Sequence, residues 1–255
     1  VGAAGVVHTI AGWFAFGVLL NLGPRIGKYN EDGTANEIEG HSLVSSFIGL
    51  LMLIVGFFGF LGGCLIWAGS DLGGWINIYG APATLSSFAF NTLMGLSGGM
   101  IGAFWYSKGN PFWMMSGGLA GIFICAGGLD IWYPGFAFVL GVVGGIVIIP
   151  ANNWLHNTFK IDDCVGAVSV HGVAGILGVL MVGIFASGYP ASGDIPPTSF
   201  VGQLVGVITM IALGFIPGYV ISLVMKSMGW LRVPDEVQMA GIDSAELGLK
   251  AYADK

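Results

Sequence analysis

The chain has 255 residues, of which 55% are hydrophobic and only 9% charged, with a formal net charge of −6 and a mean hydropathy of +0.84. A soluble domain carries about 25% charged residues, so water is the wrong solvent for most of this surface, and the acidic balance excludes a basic nucleic-acid footprint as the main theme. Cys64, Cys125 and Cys164 lie far apart in apolar stretches, an odd number without metal-ligand spacing, and indicate neither a disulfide framework nor a zinc site.

A spanning helix needs about 20 mostly apolar residues, and the sequence predicts seven, at 1–22, 41–68, 83–107, 111–127, 132–153, 164–187 and 199–228. The fold class expected is therefore all-α, a polytopic membrane helix bundle. The first span begins at residue 1 without flanking polar residues or a signal peptide, which leads us to expect preceding residues, in this chain or supplied by another. The fourth is short and Gly-rich. The 45 glycines suit helices in close contact within lipid. Pairs such as Gly98-Gly99, Gly117-Gly118 and Gly144-Gly145 fall inside spans and read as packing surfaces, not nucleotide loops. After Gly229 the composition turns polar with charges of both signs. Two units are expected: a transmembrane domain at 1–229 and a soluble tail at 230–255.

Lys and Arg accumulate on the cytoplasmic side of membrane proteins. The links after spans one, three and five carry Arg25, Lys28, Lys108 and Lys160, and the end of the last span and the tail carry Lys226, Arg232, Lys250 and Lys255. These are all the Lys and Arg residues in the chain. The intervening links carry Asp71, Asp130 and Asp194 instead. This segregation predicts an amino end outside and a cytoplasmic tail.

Two histidines lie deep in apolar helix. His8 in Val7-His8-Thr9-Ile10-Ala11-Gly12 and His171 in Val170-His171-Gly172-Val173-Ala174-Gly175 share the pattern Val-His-x-x-Ala-Gly. Their spans are five apart, so the two copies cross the membrane in opposite directions, as in an inverted repeat with a site at the repeat interface. Ionisable groups inside a membrane are costly and mark function. A neutral imidazole offers one donor and one acceptor and exchanges protons near neutral pH. Two facing imidazoles can pass a proton or hold a small hydrogen-bonding solute; core packing and bis-histidine haem ligation are the alternatives. His41 and His156 sit at span edges, where solvation accounts for them.

The stretches Gly5-Val6-Val7-His8, Gly56-Phe57-Phe58-Gly59-Phe60-Leu61-Gly62-Gly63-Cys64, Ile161-Asp162-Asp163 with Val170-His171-Gly172-Val173, and Leu231-Arg232-Val233-Pro234-Asp235 occur in order along the chain. Together they resemble the Amt/Mep/Rh ammonium transporter family, and more its Amt branch. On the family pattern the chain looks like the part running from within the fifth helix to the tail of an eleven-helix protein.

The resemblance implies an ammonium transporter or channel that is not an enzyme, carries no cofactor, sits in the plasma or inner membrane and forms a homotrimer. It makes His8 and His171 the twin pore histidines. Phe60 corresponds to one of two phenylalanines gating the outer mouth, where an aromatic face attracts cations, and Cys64 stands where a serine recruits ammonium. Asp163 matches the acid eight residues before the second histidine, a place where an N-cap carboxylate favoured by the helix dipole is equally expected. Three departures stand out. Cys64 replaces serine, a stronger hydrogen-bond partner, and Leu61 replaces the usual asparagine. In the tail, Leu247-Gly248-Leu249-Lys250-Ala251-Tyr252 stands where many bacterial members read His-Gly-Glu-x-Ala-Tyr, which weakens the implied docking of a PII-type signalling protein. Finally, Ala126-Gly127 lies near a common Thr-Pro pair. A second reading is an Amt-like sensor that binds ammonium and signals without transport.

Overall fold

The computed structural model describes residues 3–67, 76–189 and 196–249. Asp71, Asp194, Lys250 and Lys255 of the charge argument, the last three residues of the tail motif just quoted and the outermost residues of the first two expected spans lie outside that set. Among the described residues the protein is all helical, with two isolated bridges, Tyr29 to Ala35 and Ile76 to Pro82.

Seven long helices run in chain order: α1 (Ile10–Leu22), α2 (Leu43–Trp67), α3 (Leu85–Ser107), α4 (Pro111–Cys125), α5 (Pro134–Phe159), α6 (Ala174–Phe185) and α7 (Phe200–Ser227). A wide π turn leads into α1 (Ala4–Thr9) and another into α6 (Val168–Val173). The tail forms two short helices, α8 (Asp235–Ala240) and α9 (Ile242–Leu247). Among the described residues, five continuous stretches are long and apolar enough to cross a membrane: Ala4–Leu22, Leu43–Cys64, Pro134–Phe159, Val168–Phe185 and Phe200–Ser227. α4 is apolar but short, and α3 has the length with a more polar sequence that includes Asn91, Thr92 and Ser97.

Local chemistry sets the ends. The Thr84 hydroxyl accepts from the Ser87 amide and Ser87 answers it, starting α3; the Asn110 side chain accepts from the Trp113 amide just ahead of Pro111 in α4. Both arrangements satisfy first-turn amides that have no partner within the helix. Ser199 caps α7 in the same way. One boundary differs from expectation. α5 continues to Phe159, so Trp154–Phe159 is helix and not loop: no Gly or Pro falls between Asn153 and Lys160, which takes a left-handed backbone at φ 52°.

α3 packs against α4 and α5, and α1 against α7. These crossings are backbone to backbone. A Cβ on Gly99 would strike the Gly117 carbonyl, one on Gly145 the Gly99 carbonyl, and one on Gly218 the Phe14 carbonyl. Small residues permit this approach where lipid supplies no hydrophobic drive between helices. The main core gathers Leu61, Phe88, Ile122, Phe123, Ile124, Trp132 and Ile148. α2 lies at the edge: it buries Leu50 and Leu61 and exposes Val44, Met52 and Val55.

Candidate functional site

Each deep histidine sits on a π turn, His8 within Ala4–Thr9 and His171 within Val168–Val173. Such turns are rare and concentrate at functional sites. Here they widen the helix where the two histidine segments meet. The His8 Nδ1 and His171 Nδ1 atoms are 3.2 Å apart, and the ring centroids 5.4 Å. In a neutral pair one Nδ1 must donate and the other accept, so one outer Nε2 carries a hydrogen and the other a lone pair. His8 is buried, and its Nε2 has no hydrogen-bond partner among the described residues. Ring nitrogens at hydrogen-bond distance leave no space for a planar macrocycle between them, so the pair does not ligate a haem from opposite faces.

The crossing obeys a local two-fold relation. Gly12, four residues after His8, lies so close to the backbone of Gly172 that a Cβ would overlap it; Gly172 directly follows His171. Gly175, four residues after His171, meets Thr9, directly following His8, at 2.7 Å from a built Cβ to the Thr9 amide nitrogen. The equivalent glycine of each copy thus contacts the equivalent residue of the other. The shared Val-His-x-x-Ala-Gly pattern is the sequence trace of that contact.

An aromatic side chain not singled out in the sequence joins the pair. Phe123 of α4 stacks on His8 with centroids 3.7 Å apart and planes at 21°, and lies 4.6 Å from His171 at 30°. Phe57 of α2 meets Phe123 edge-on at 5.6 Å. By contrast Phe60, the expected gate residue, is 43% exposed on α2, and Cys64 is half-buried. Neither is brought to the histidines by the described residues.

Asp163 lies just ahead of the His171 segment, buried, and accepts from the amides of Ala167 at 2.8 Å and Val168 at 2.7 Å. That geometry is the capping one. Burial pushes its carboxyl above the usual range, and the two amide bonds and His156 only partly offset this. Asp162 beside it receives the Arg25 guanidinium on both oxygens, at 2.6 and 2.9 Å, and the Arg25 amide at 3.0 Å. Burial raises this carboxyl too, but the Arg25 bonds outweigh burial and hold it below the usual range. Arg25 follows α1 and Asp162 precedes the His171 segment, so the pair ties both histidine segments at one face. A cavity of about 620 Å³ opens there, lined by Arg25, Lys28, Asn152, His156, Asp162 and Asp163 among others.

The sequence profile of the Ammonium Transporter Family matches residues 1–252. The chain belongs to this family. Among its curated relatives, Ammonium transporter Amt1 of Haloferax mediterranei is 31% identical over 260 residues, covering 98% of this chain and 48% of the relative. Ammonium transporter Amt2 of Archaeoglobus fulgidus is 32% identical over 265 residues, covering 98% and 54%. The chain spans about half the length of the curated relatives it matches. Among solved structures, a protein described as a sensor Amt protein superposes with a TM-score of 0.81 at 32% identity, covering 96% of this chain and 59% of that one. Mep2 of Candida albicans has a TM-score of 0.72 at 22% identity, which shows the shared fold.

Membership of the ammonium transporter family, with five helices among the described residues long and apolar enough to span, makes this a multi-pass membrane protein of a transporter and channel family. The pairing of His8 with His171 was legible because Val-His-x-x-Ala-Gly recurs along the chain. Phe123 was missed because, in one sequence, it reads as filler between Ile122 and Ile124 in a Gly-rich span.

Proposed function

We propose that the protein conducts ammonia, with or without a co-transferred proton, through a route past His8 and His171. The observation that carries this reading is the 3.2 Å contact between the two Nδ1 atoms at the crossing of oppositely directed segments. Ammonium loses a proton before entering a region that penalises an intact charge, crosses as ammonia, and regains a proton on the far side. The imidazole pair offers a donor at one end and an acceptor at the other, so it is able to carry the proton that ammonia leaves behind. Phe60 and Cys64 belong in this reading to an outer vestibule that attracts the cation, and Asp163 holds the start of the His171 segment. The assembly is a homotrimer in the plasma or inner membrane, with the basic links and the tail at 230–255 in the cytoplasm and the tail open to a PII-type protein.

The test is an ammonium jump on the complete protein in proteoliposomes, read as current and as internal pH. His8→Ala and His171→Ala are each expected to lower the response about a hundredfold, the scale of a lost proton-transfer group. Unchanged rate and selectivity in both variants would sink the reading.

The likeness to a sensor Amt protein at 32% identity supports a second reading, in which ammonium binds and signals without crossing. Leu61 and Cys64, which depart from the recruitment motif, favour the same direction. Measurable ammonium binding by calorimetry, with neither current nor ammonia flux, selects it.

A further inference from the structure

We propose that Phe123 occludes the buried imidazole of His8, so that a solute passes from the half-buried His171 to His8 only when the Phe123 ring swings away. The inference rests on the twin-histidine route proposed above and adds a gate at the pair itself.

Phe123 is fully buried and lies over both imidazoles at once, stacked on His8 at 3.7 Å and tilted over His171 at 4.6 Å. The first separation is van der Waals contact, the range in which carbon atoms attract at about 3.5–4.0 Å. A water-sized solute needs a void of about 10–15 Å³ to itself, and none remains between rings in contact. Ammonia, close to water in size, meets the same exclusion at these faces. Phe57 of α2 stands edge-on to Phe123 at 5.6 Å, on the face of Phe123 that meets α2.

The backbone beneath the ring is fixed. A Cβ built on Gly178 of α6 would lie 2.9 Å from the Phe123 carbonyl and 2.8 Å from that of Ile124. α4 is thus seated against the helix that continues from His171, and the freedom left to Phe123 is rotation of its side chain. An aromatic ring held over two imidazoles makes stacking contacts with both, and each must be given up before a solute takes its place. Phe123 is therefore a gating residue set on the pair and separate from Phe60, which is 43% exposed on α2.

The experiment compares the complete wild-type protein with Phe123→Ala and Phe123→Val in proteoliposomes, using ammonium jumps read as current and internal pH. Phe123→Val leaves a larger apolar group in the core than alanine does and guards against misfolding of the alanine variant. The rate of carbethoxylation at His8 and His171, followed by mass spectrometry, is a second readout that needs no flux. Both variants are expected to raise flux roughly tenfold and to speed modification of His8, with the half-buried His171 as the internal reference and the flux gain abolished by adding His8→Ala. If a silent wild type is opened by either substitution, occlusion holds and the claim that the native protein conducts falls. If flux and modification rates stay at or below wild type, occlusion is overturned, while loss of wild-type flux on His8→Ala leaves the twin-histidine route standing. A gain that survives His8→Ala overturns both, since the route then bypasses the pair.

Discussion

The Asp162 side chain is 2% exposed, yet its carboxyl is held below the usual range by a two-pronged contact with Arg25. An acid with a lowered folded pKa adds stability above the ordinary carboxylate value of about 3.9, and that stability is lost as pH falls through the folded value. Removing Arg25 would strand the carboxylate. With the guanidinium partly exposed, Arg25→Ala is expected to cost about 2 kcal/mol near neutral pH. In thermal melts of the purified protein, the gap between wild type and variant should narrow as the pH is lowered through the folded Asp162 value; a gap independent of pH refutes the assignment. Asp163 moves the opposite way because burial dominates over its two amide donors. The sequence marked Asp163 for its distance from His171 and Asp162 only as part of the Ile161-Asp162-Asp163 motif, with no hint of its partner 137 residues away. Long-range ion pairs leave no local signature.

At the scale of elements, the π turns and the glycine crossing act as one unit. Substituting Gly12 by Ala places a methyl group on the Gly172 backbone, which no side-chain rotation relieves. Overpacking of this kind costs about 1–3 kcal/mol, and the simplest relaxation moves α1 away from the His171 segment. Gly12→Ala is therefore expected to keep the helix content but lower ammonium flux as far as His8→Ala does, in the same proteoliposome assay; wild-type flux would show that the crossing tolerates the shift. Most spans were legible to within a few residues, since apolar runs are local features. α5 ran past its expected end because apolar count reports bilayer thickness and not where a helix unwinds. The π geometry was not legible: Ala4–Thr9 and Val168–Val173 carry no composition that separates a π turn from ordinary helix.

Over the whole molecule, the tail is fastened to the end of the first histidine helix. Arg232 Nη1 donates to the carbonyl oxygens of Leu22 at 3.2 Å and Pro24 at 2.7 Å, and the Gln238 side chain accepts from the Ile26 amide at 2.9 Å. Cations are favoured at the carbonyl end of a helix. Arg232→Ala is expected to release the segment 233–247, read as faster amide hydrogen exchange there with α3 to α5 unchanged. Unchanged exchange in that segment would show that other contacts hold the tail. Farther up the same interface, Asn21 donates to Tyr219 O and Ser222 Oγ, a buried polar link between α1 and α7. Family membership and helical class were readable from ordered motifs, whereas this fastening depends on residues more than 200 positions apart.

On the route proposed above, a hydrogen shared by the two Nδ1 atoms would give the pair a memory. A proton that enters at one Nε2 and leaves at the other shifts that central hydrogen across, and the pair then faces the opposite way. It can return a proton at once, but it cannot pass a second in the same direction until both rings turn over or the hydrogens are restored. With Phe123 stacked on both rings, turning over is the hindered event. The pace of ring reorientation, and not the acidity of the solute, would then set the ceiling on repeated forward transfers.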